Sequence, residues 1–135
     1  MNILFLDDSE DRCKRFRSWC PSSIIVNTAD DCIWQLKHNE YDIVFLDHDL
    51  GGKIYVNSRD KDCGMEVVRW LAKRNINLNT IIVHSLNSSA ATLMTEKLRK
   101  ANYNVSYVPF TILFNMIEDL GGLEDFVNYF RKDEI

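Results

Sequence analysis

Three short polar runs carry the side chains that could do chemistry in this chain: Asp7-Asp8, Asp47-His48-Asp49 and His84-Ser85-Leu86-Asn87. Each follows an apolar stretch directly: Ile3-Leu4-Phe5-Leu6, Ile43-Val44-Phe45-Leu46 and Ile81-Ile82-Val83. Carboxylates gathered in one place repel, and two of them ~4 Å apart cost roughly 4 kcal/mol at an effective dielectric of ~20. A divalent cation removes that cost. Oxygen-rich clusters suit Mg²⁺ or Mn²⁺, and added imidazole moves the preference towards Mn²⁺, Zn²⁺ or Fe²⁺, with Zn²⁺ and Fe²⁺ the less expected here. Taken singly, each run has a simpler reading. Asp7-Asp8 would cap a helix, Asp49-Leu50-Gly51-Gly52 would form a turn, and His84 would be a satisfied core histidine. The chemistry therefore depends on whether the fold brings the runs together.

The elements that must position them alternate along the chain. Apolar, β-branched runs at 3–6, 24–26, 43–46, 81–83 and 105–108 have the composition of strands buried on both faces. Amphipathic stretches separate them, at 9–19, 28–37, 64–74 and 88–101, and a tail at 111–132 is interrupted at Gly121-Gly122. Parallel strands need crossover helices, and right-handed crossovers dominate. The expected fold is an α/β, doubly wound five-stranded parallel sheet in the order 2-1-3-4-5 within one domain, 1–135. There the C-terminal ends of the first, third and fourth strands lie side by side. A segment of about fifteen residues, His48 to Cys63, exceeds the usual strand-to-helix loop and leaves the sheet at its ligand-binding edge. It holds Gly51, Gly52, Lys53, Tyr55, Asn57, Arg59 and Lys61.

Sixteen basic and twenty acidic side chains give a net charge of −4, which argues against a protein whose main business is coating nucleic acid but admits a small phosphate ligand. No apolar run approaches the roughly 20 residues of a bilayer span, and the start lacks the marks of a signal peptide, so no membrane role and a cytoplasmic location are expected. Cys13, Cys20, Cys32 and Cys63 show neither C-x-x-C nor zinc-like spacing and read as reduced thiols. His38, at a helix end, is assigned no role.

With the polar runs at these strand ends, the chain resembles the receiver domains of bacterial two-component response regulators. Asp7 and Asp8 match the receiver's acidic pair, Asp47 its phosphoacceptor, and Ser85 its hydroxyl residue. Cys63-Gly64-Met65-Glu66-Val67-Val68 resembles the start of its third helix. One position departs: Val108 stands before Pro109 where a receiver has the lysine that holds the phosphoryl group. The runs LDHDLGG and VHSLNSSAA are similar to a divergent branch, the cyclic-phosphate-processing receiver domains of bacteria and phages. That resemblance implies a flavodoxin-like fold and a metal-dependent site acting on cyclic phosphates.

Hydrolysis of a phosphodiester needs an activated water, charge stabilisation on the non-bridging oxygens, and a proton for the leaving alkoxide. Asp7, Asp8, Asp47 and Asp49 are the candidate metal ligands. Asp47, His48, His84 and Asp49 are the candidate catalytic groups. Ser85, Asn87, Lys53 and Arg59 would hold phosphate oxygens, and Tyr55 would stack on a base. Neighbouring strand residues face opposite sides, so if Asp47 points into the pocket, Asp49 is better placed than His48. Three functions follow: a metal-dependent phosphoesterase acting on a 2′,3′-cyclic RNA end or a cyclic nucleotide, a stand-alone receiver phosphorylated on Asp47, or a non-catalytic nucleotide- or partner-binding module. The expected partner is a small phosphate or nucleotide, or an RNA end. The tail's apolar surface offers a face for a homodimer.

Overall fold

Runs such as Ile-Leu-Phe-Leu and Ile-Val-Phe-Leu place a large apolar group on both sides of a strand, so each must be covered from above and below. The computed structural model, which describes residues 1–52 and 56–131, meets that demand with five parallel strands in the order β2-β1-β3-β4-β5. They are β1 (Ile3–Leu6), β2 (Ile24–Val26), β3 (Ile43–Leu46), β4 (Thr80–Val83) and β5 (Val105–Tyr107). The helices are α1 (Glu10–Trp19), α2 (Ala29–His38), α3 (Gly64–Ala72), α4 (Ser88–Lys100), α5 (Phe110–Asp119) and α6 (Leu123–Phe130). The expected tail helix is thus two helices. Gly121 and Gly122, at φ +100° and +127°, adopt a backbone that side chains disfavour, and the break falls there. Residue 132 lies outside the described residues.

Strand alternation divides the core. Leu4, Leu6, Val44, Leu46, Ile81 and Val83 pack under α2, α3 and α4. Ile3, Phe5, Ile43, Phe45 and Ile82 pack under α1, α5 and α6, where Phe5 stacks on Phe16 with centroids 4.1 Å apart. The register pairs Leu6 with Leu46 and Leu46 with Val83. The next residues are therefore neighbours, and Asp47 N donates to Leu6 O at 3.2 Å and His84 N to Leu46 O at 2.9 Å. Asp7, Asp47 and His84 form one row across the sheet, continuing the alternate positions that face α1 and α5.

The long connection between β3 and α3 is tied down at both ends. Asp49 bridges Cys63 in antiparallel fashion, and Gly64 N donates to His48 O at 2.9 Å. Leu50, Val56 and Cys63 are buried. Arg69 donates to the carbonyls of Ser58 and Asp60, and Asp62 accepts from Ala29 N at the start of α2.

The α3 start packs against the end of β3 without room for a side chain. A Cβ on Gly64 would lie 1.9 Å from Asp47 O and 2.8 Å from Met94 Cε. Gly64→Ala should therefore destabilise the fold by about 2–3 kcal/mol, read as a lower urea midpoint at unchanged slope. An unaltered midpoint would show that β3 and α3 separate freely.

Candidate functional site

Beyond the carboxyl ends of β1, β3 and β4 lies a cavity of about 400 Å³ whose wall includes Asp8, Ser9, Arg12, Asp47, Asp49 and Ser85. Gly52 and Leu86 also reach it. Carboxylate oxygens of Asp7, Asp8 and Asp47 all lie within 4.8 Å of one another, the geometry of a possible cation site. Asp47 is 4 % exposed; its Oδ1 accepts from His48 N at 2.8 Å, while its Oδ2 is buried with no hydrogen-bond partner among the described residues. Burial and the neighbouring Asp7 carboxylate push the Asp47 carboxyl up to about 8, against the pull of the His48 N–H and of Arg12. Asp8 Oδ2 accepts from Gly52 N at 2.6 Å, which joins the loop to the acidic pair. The turn there runs through Gly51 and Gly52, both at positive φ.

Arg12 did not stand out in the sequence, yet it is central here. Its Nε donates to Asp7 Oδ2 at 2.8 Å and its Nη2 to Asp7 Oδ1 at 3.0 Å. The same Nη2 is 3.6 Å from Asp47 Oδ2 and 4.0 Å from Asp8 Oδ1. Asp7 Oδ1 also accepts from Ser9 N at 2.8 Å. Asp7 is fully buried and its oxygens are well occupied, so the acids left facing the cavity are Asp8, Asp47 and Asp49. A signal for Arg12 does exist in the sequence. A basic residue in the first turn of a helix opposes the macrodipole, and a nearby acid must compensate.

The other expected residues separate into groups. Asp49 lines the cavity, and its Oδ1 accepts from His48 Nδ1 at 2.7 Å, Val56 N at 3.0 Å and Asn87 Nδ2 at 3.3 Å. It is not part of the close carboxylate group. His48 is buried beneath the loop, with Nε2 3.0 Å from Ser58 Oγ. Burial disfavours its charged ring, but hydrogen bonds to Cys63 and Asp49 outweigh that and raise its pKa. His84 is buried behind the acids, stacked on Phe5 at 4.8 Å. Its Nε2 must donate to Leu6 O at 3.1 Å, because a carbonyl only accepts. Its Nδ1 then faces Asp7 Oδ2 at 3.7 Å without a hydrogen bond. Burial, the largest influence, lowers its pKa despite Asp7, so the ring is neutral near pH 7.

Ser85 Oγ accepts from Asn87 N at 3.0 Å and borders the cavity. Asn87 Oδ1 caps α4 through Ala90 N, and Asn87 meets Asp49 rather than the cavity wall. Arg59 is exposed in the loop and is not among the lining residues. Lys53 and Tyr55 lie outside the described residues. All four cysteines are buried and free.

The Asp47 carboxyl titrates above its unfolded value, so the folded protein holds a proton that the unfolded chain has lost across the window from about 4 to about 8. Folding stability in chelator should fall as pH rises through that window. Asp47→Asn removes the titration, and near pH 8 the variant should be the more stable by about 2 kcal/mol or more. Urea unfolding at several pH values checks this, and parallel pH profiles for the two proteins would contradict it.

The five-stranded order recurs in solved structures. A CheY-like response regulator receiver domain from Methylobacillus flagellatus is 14 % identical, with TM-score 0.63 over 97 % of this chain and 98 % of that one. The receiver domain of Francisella response regulator 1452 is 20 % identical, with TM-score 0.60 over 87 % and 91 %. Response regulator TrrA from Thermotoga maritima, in complex with Mg²⁺-BeF, is 17 % identical, with TM-score 0.61 over 87 % and 93 %. These likenesses establish the flavodoxin-like receiver fold. No curated protein sequence matches the chain. Residues 2–100 match the family described as the cyclic-phosphate processing receiver domain, and with most of its length so matched, the chain belongs to that family.

Proposed function

We propose that this protein is a divalent-metal-dependent phosphoesterase acting on a cyclic phosphate, of the class of 2′,3′-cyclic RNA ends or cyclic nucleotides. One observation carries the reading: a buried, unpartnered Asp47 oxygen at a cavity it shares with Asp8, in a group of three carboxylates within 4.8 Å. An orphaned carboxylate oxygen inside a protein is costly, and an all-oxygen donor set fits a hard cation. The Mg²⁺ carried by the TrrA complex is consistent with that choice. Mg²⁺ or Mn²⁺ suits the site better than Zn²⁺ or Fe²⁺, because both His48 nitrogens and the His84 Nε2 have other partners.

Asp8 and Asp47 would hold the ion, with Asp7 behind them. The chemistry an ion supplies is a water of lowered pKa and neutralisation of charge on the phosphate oxygens. Ser85 can donate its hydroxyl to a phosphate oxygen from the cavity wall. Asp49, 2.7 Å from His48 Nδ1 and at the same wall, forms with that imidazole the pair placed to move a proton. The cavity, at about 400 Å³, has room for a phosphate group.

Asp47 at the end of β3 also supports a second reading, in which it accepts a phosphoryl group, as receivers do. Val108, buried, stands where the assisting lysine would be, and that disfavours it. Acetyl phosphate treatment followed by intact-mass analysis separates the two, since a phosphoacceptor gains one phosphoryl that Asp47→Asn does not.

Hydrolysis of a 2′,3′-cyclic nucleotide, a 3′,5′-cyclic nucleotide and cyclic oligonucleotides should be followed with Mn²⁺, Mg²⁺ or chelator. Turnover of one substrate class should require the metal and fall by about 100-fold or more in Asp47→Asn and in Asp8→Asn. Bound but unaltered substrate in every condition would mark a binding module instead.

A further inference from the structure

We propose that Arg12 is the residue that grips the anionic phosphate group in this site, supplying from α1 the positive charge that the end of β5 lacks. The inference rests on the phosphate-ligand reading of the cavity and adds a residue to it. Strand β5 leads through Val108 to Pro109, so the end of that strand carries no cation, and Val108 is buried. Among the described residues that line the cavity, Arg12 is the sole basic one. Other cations of α1 are not among the cavity's lining residues: Arg15 lies over the Phe114 ring at 4.2 Å, and Lys14 and Arg17 border a second cavity, which Asp8 also touches, with Glu10 and Asn27.

The guanidinium is held and only partly spent. Nε and Nη2 are committed to Asp7, and the side chain rests 5.5 Å from the Phe110 ring centroid. No described residue accepts from Nη1, and the side chain is 28 % exposed at the cavity. A guanidinium has five N–H donors in a rigid plane, so a group fixed by one edge still presents others to an anion. Asp7 thus acts as the anchor that aims Arg12.

The position also explains why one arginine can sit among acids without abolishing a cation site. Its two short bonds go to Asp7, whereas its approaches to Asp47 and Asp8 are 3.6 and 4.0 Å, longer than hydrogen bonds. The Asp47 Oδ2 lies in ion-pair range of the guanidinium but is not hydrogen-bonded to it. Metal binding by Asp8 and Asp47 and anion binding by Arg12 are therefore separable.

That separation defines the test. Inorganic phosphate binding is measured calorimetrically in the presence of Mn²⁺, and Mn²⁺ binding alone by electron paramagnetic resonance, for wild type, Arg12→Lys and Arg12→Met. Arg12→Met should weaken phosphate binding by about 30-fold or more, while Mn²⁺ binds as tightly as in wild type or tighter, a competing charge having gone. Arg12→Lys should recover part of the phosphate affinity, because it restores the charge but not the planar fork. Arg12→Lys also keeps Asp7 paired, so it answers the question if Arg12→Met is poorly folded. Phosphate affinity in Arg12→Met within threefold of wild type, with Mn²⁺ bound, would overturn the proposal, as would a wild type that binds no phosphate. Neither readout needs turnover, so a protein that hydrolyses nothing in the substrate panel still decides the role of Arg12.

Discussion

Two carboxyl groups, Asp7 and Asp47, are buried next to each other at the carboxyl ends of adjacent parallel strands, and the site is organised around that repulsion. Strand register makes them neighbours, and alternation turns both to the α1 side of the sheet. Arg12 satisfies Asp7 but leaves Asp47 Oδ2 without a hydrogen bond. The result is a raised Asp47 pKa at a cavity that Asp8 and Asp49 also line. A buried carboxyl pair of this kind is destabilising unless a counter-charge or a proton offsets it.

The fold was legible in the sequence because β1, β3 and β4, buried on both faces, cannot hide their composition, although the edge strand β2 leaves Ile24 exposed and β5 is only partly buried. Boundaries shifted by one residue at β4 and β5. Thr80 is β-branched and pairs with Ile43, so β4 begins one residue before its apolar run. Val108 continues the β5 ladder through one bond to Val83 O, yet the strand ends at Tyr107 as Pro109 turns the chain into α5. The convergence of Asp7, Asp8 and Asp47 was legible too, since it needs only strand order and register.

Side-chain direction was much less so. His84 shares the row of Asp7 and Asp47, but its flat ring finds Phe5 beneath it and the Leu6 carbonyl beside it, and it ends behind the acids. His48 faces the opposite way from Asp47 and becomes the buried link between Asp49 and Ser58. Asn87 divides its amide between capping α4 and holding Asp49. These roles depend on which polar partner lies within a few ångströms, a matter of packing that residue type and spacing leave open. Arg12 was hidden for the same reason. Its charge opposes the dipole of α1, and the compensating Asp7 becomes apparent once the helix is docked on the sheet.

The long segment between β3 and α3 ties these parts together. Its glycine turn reaches Asp8, its Val56 N–H reaches Asp49, and its far end is fixed to α2 through Asp62 and to α3 through Arg69. These bonds join the acids of two strands to the loop that borders them, and of these residues Asp8, Asp47, Asp49 and Gly52 line the cavity. The most direct test is a Mn²⁺ titration of wild type and Asp47→Asn followed by electron paramagnetic resonance. One ion per chain in wild type, with at least about tenfold weaker binding in Asp47→Asn, is the predicted result. Wild type that binds no Mn²⁺, or binds it equally well without the Asp47 carboxylate, would contradict the assignment of this acidic row as a cation site.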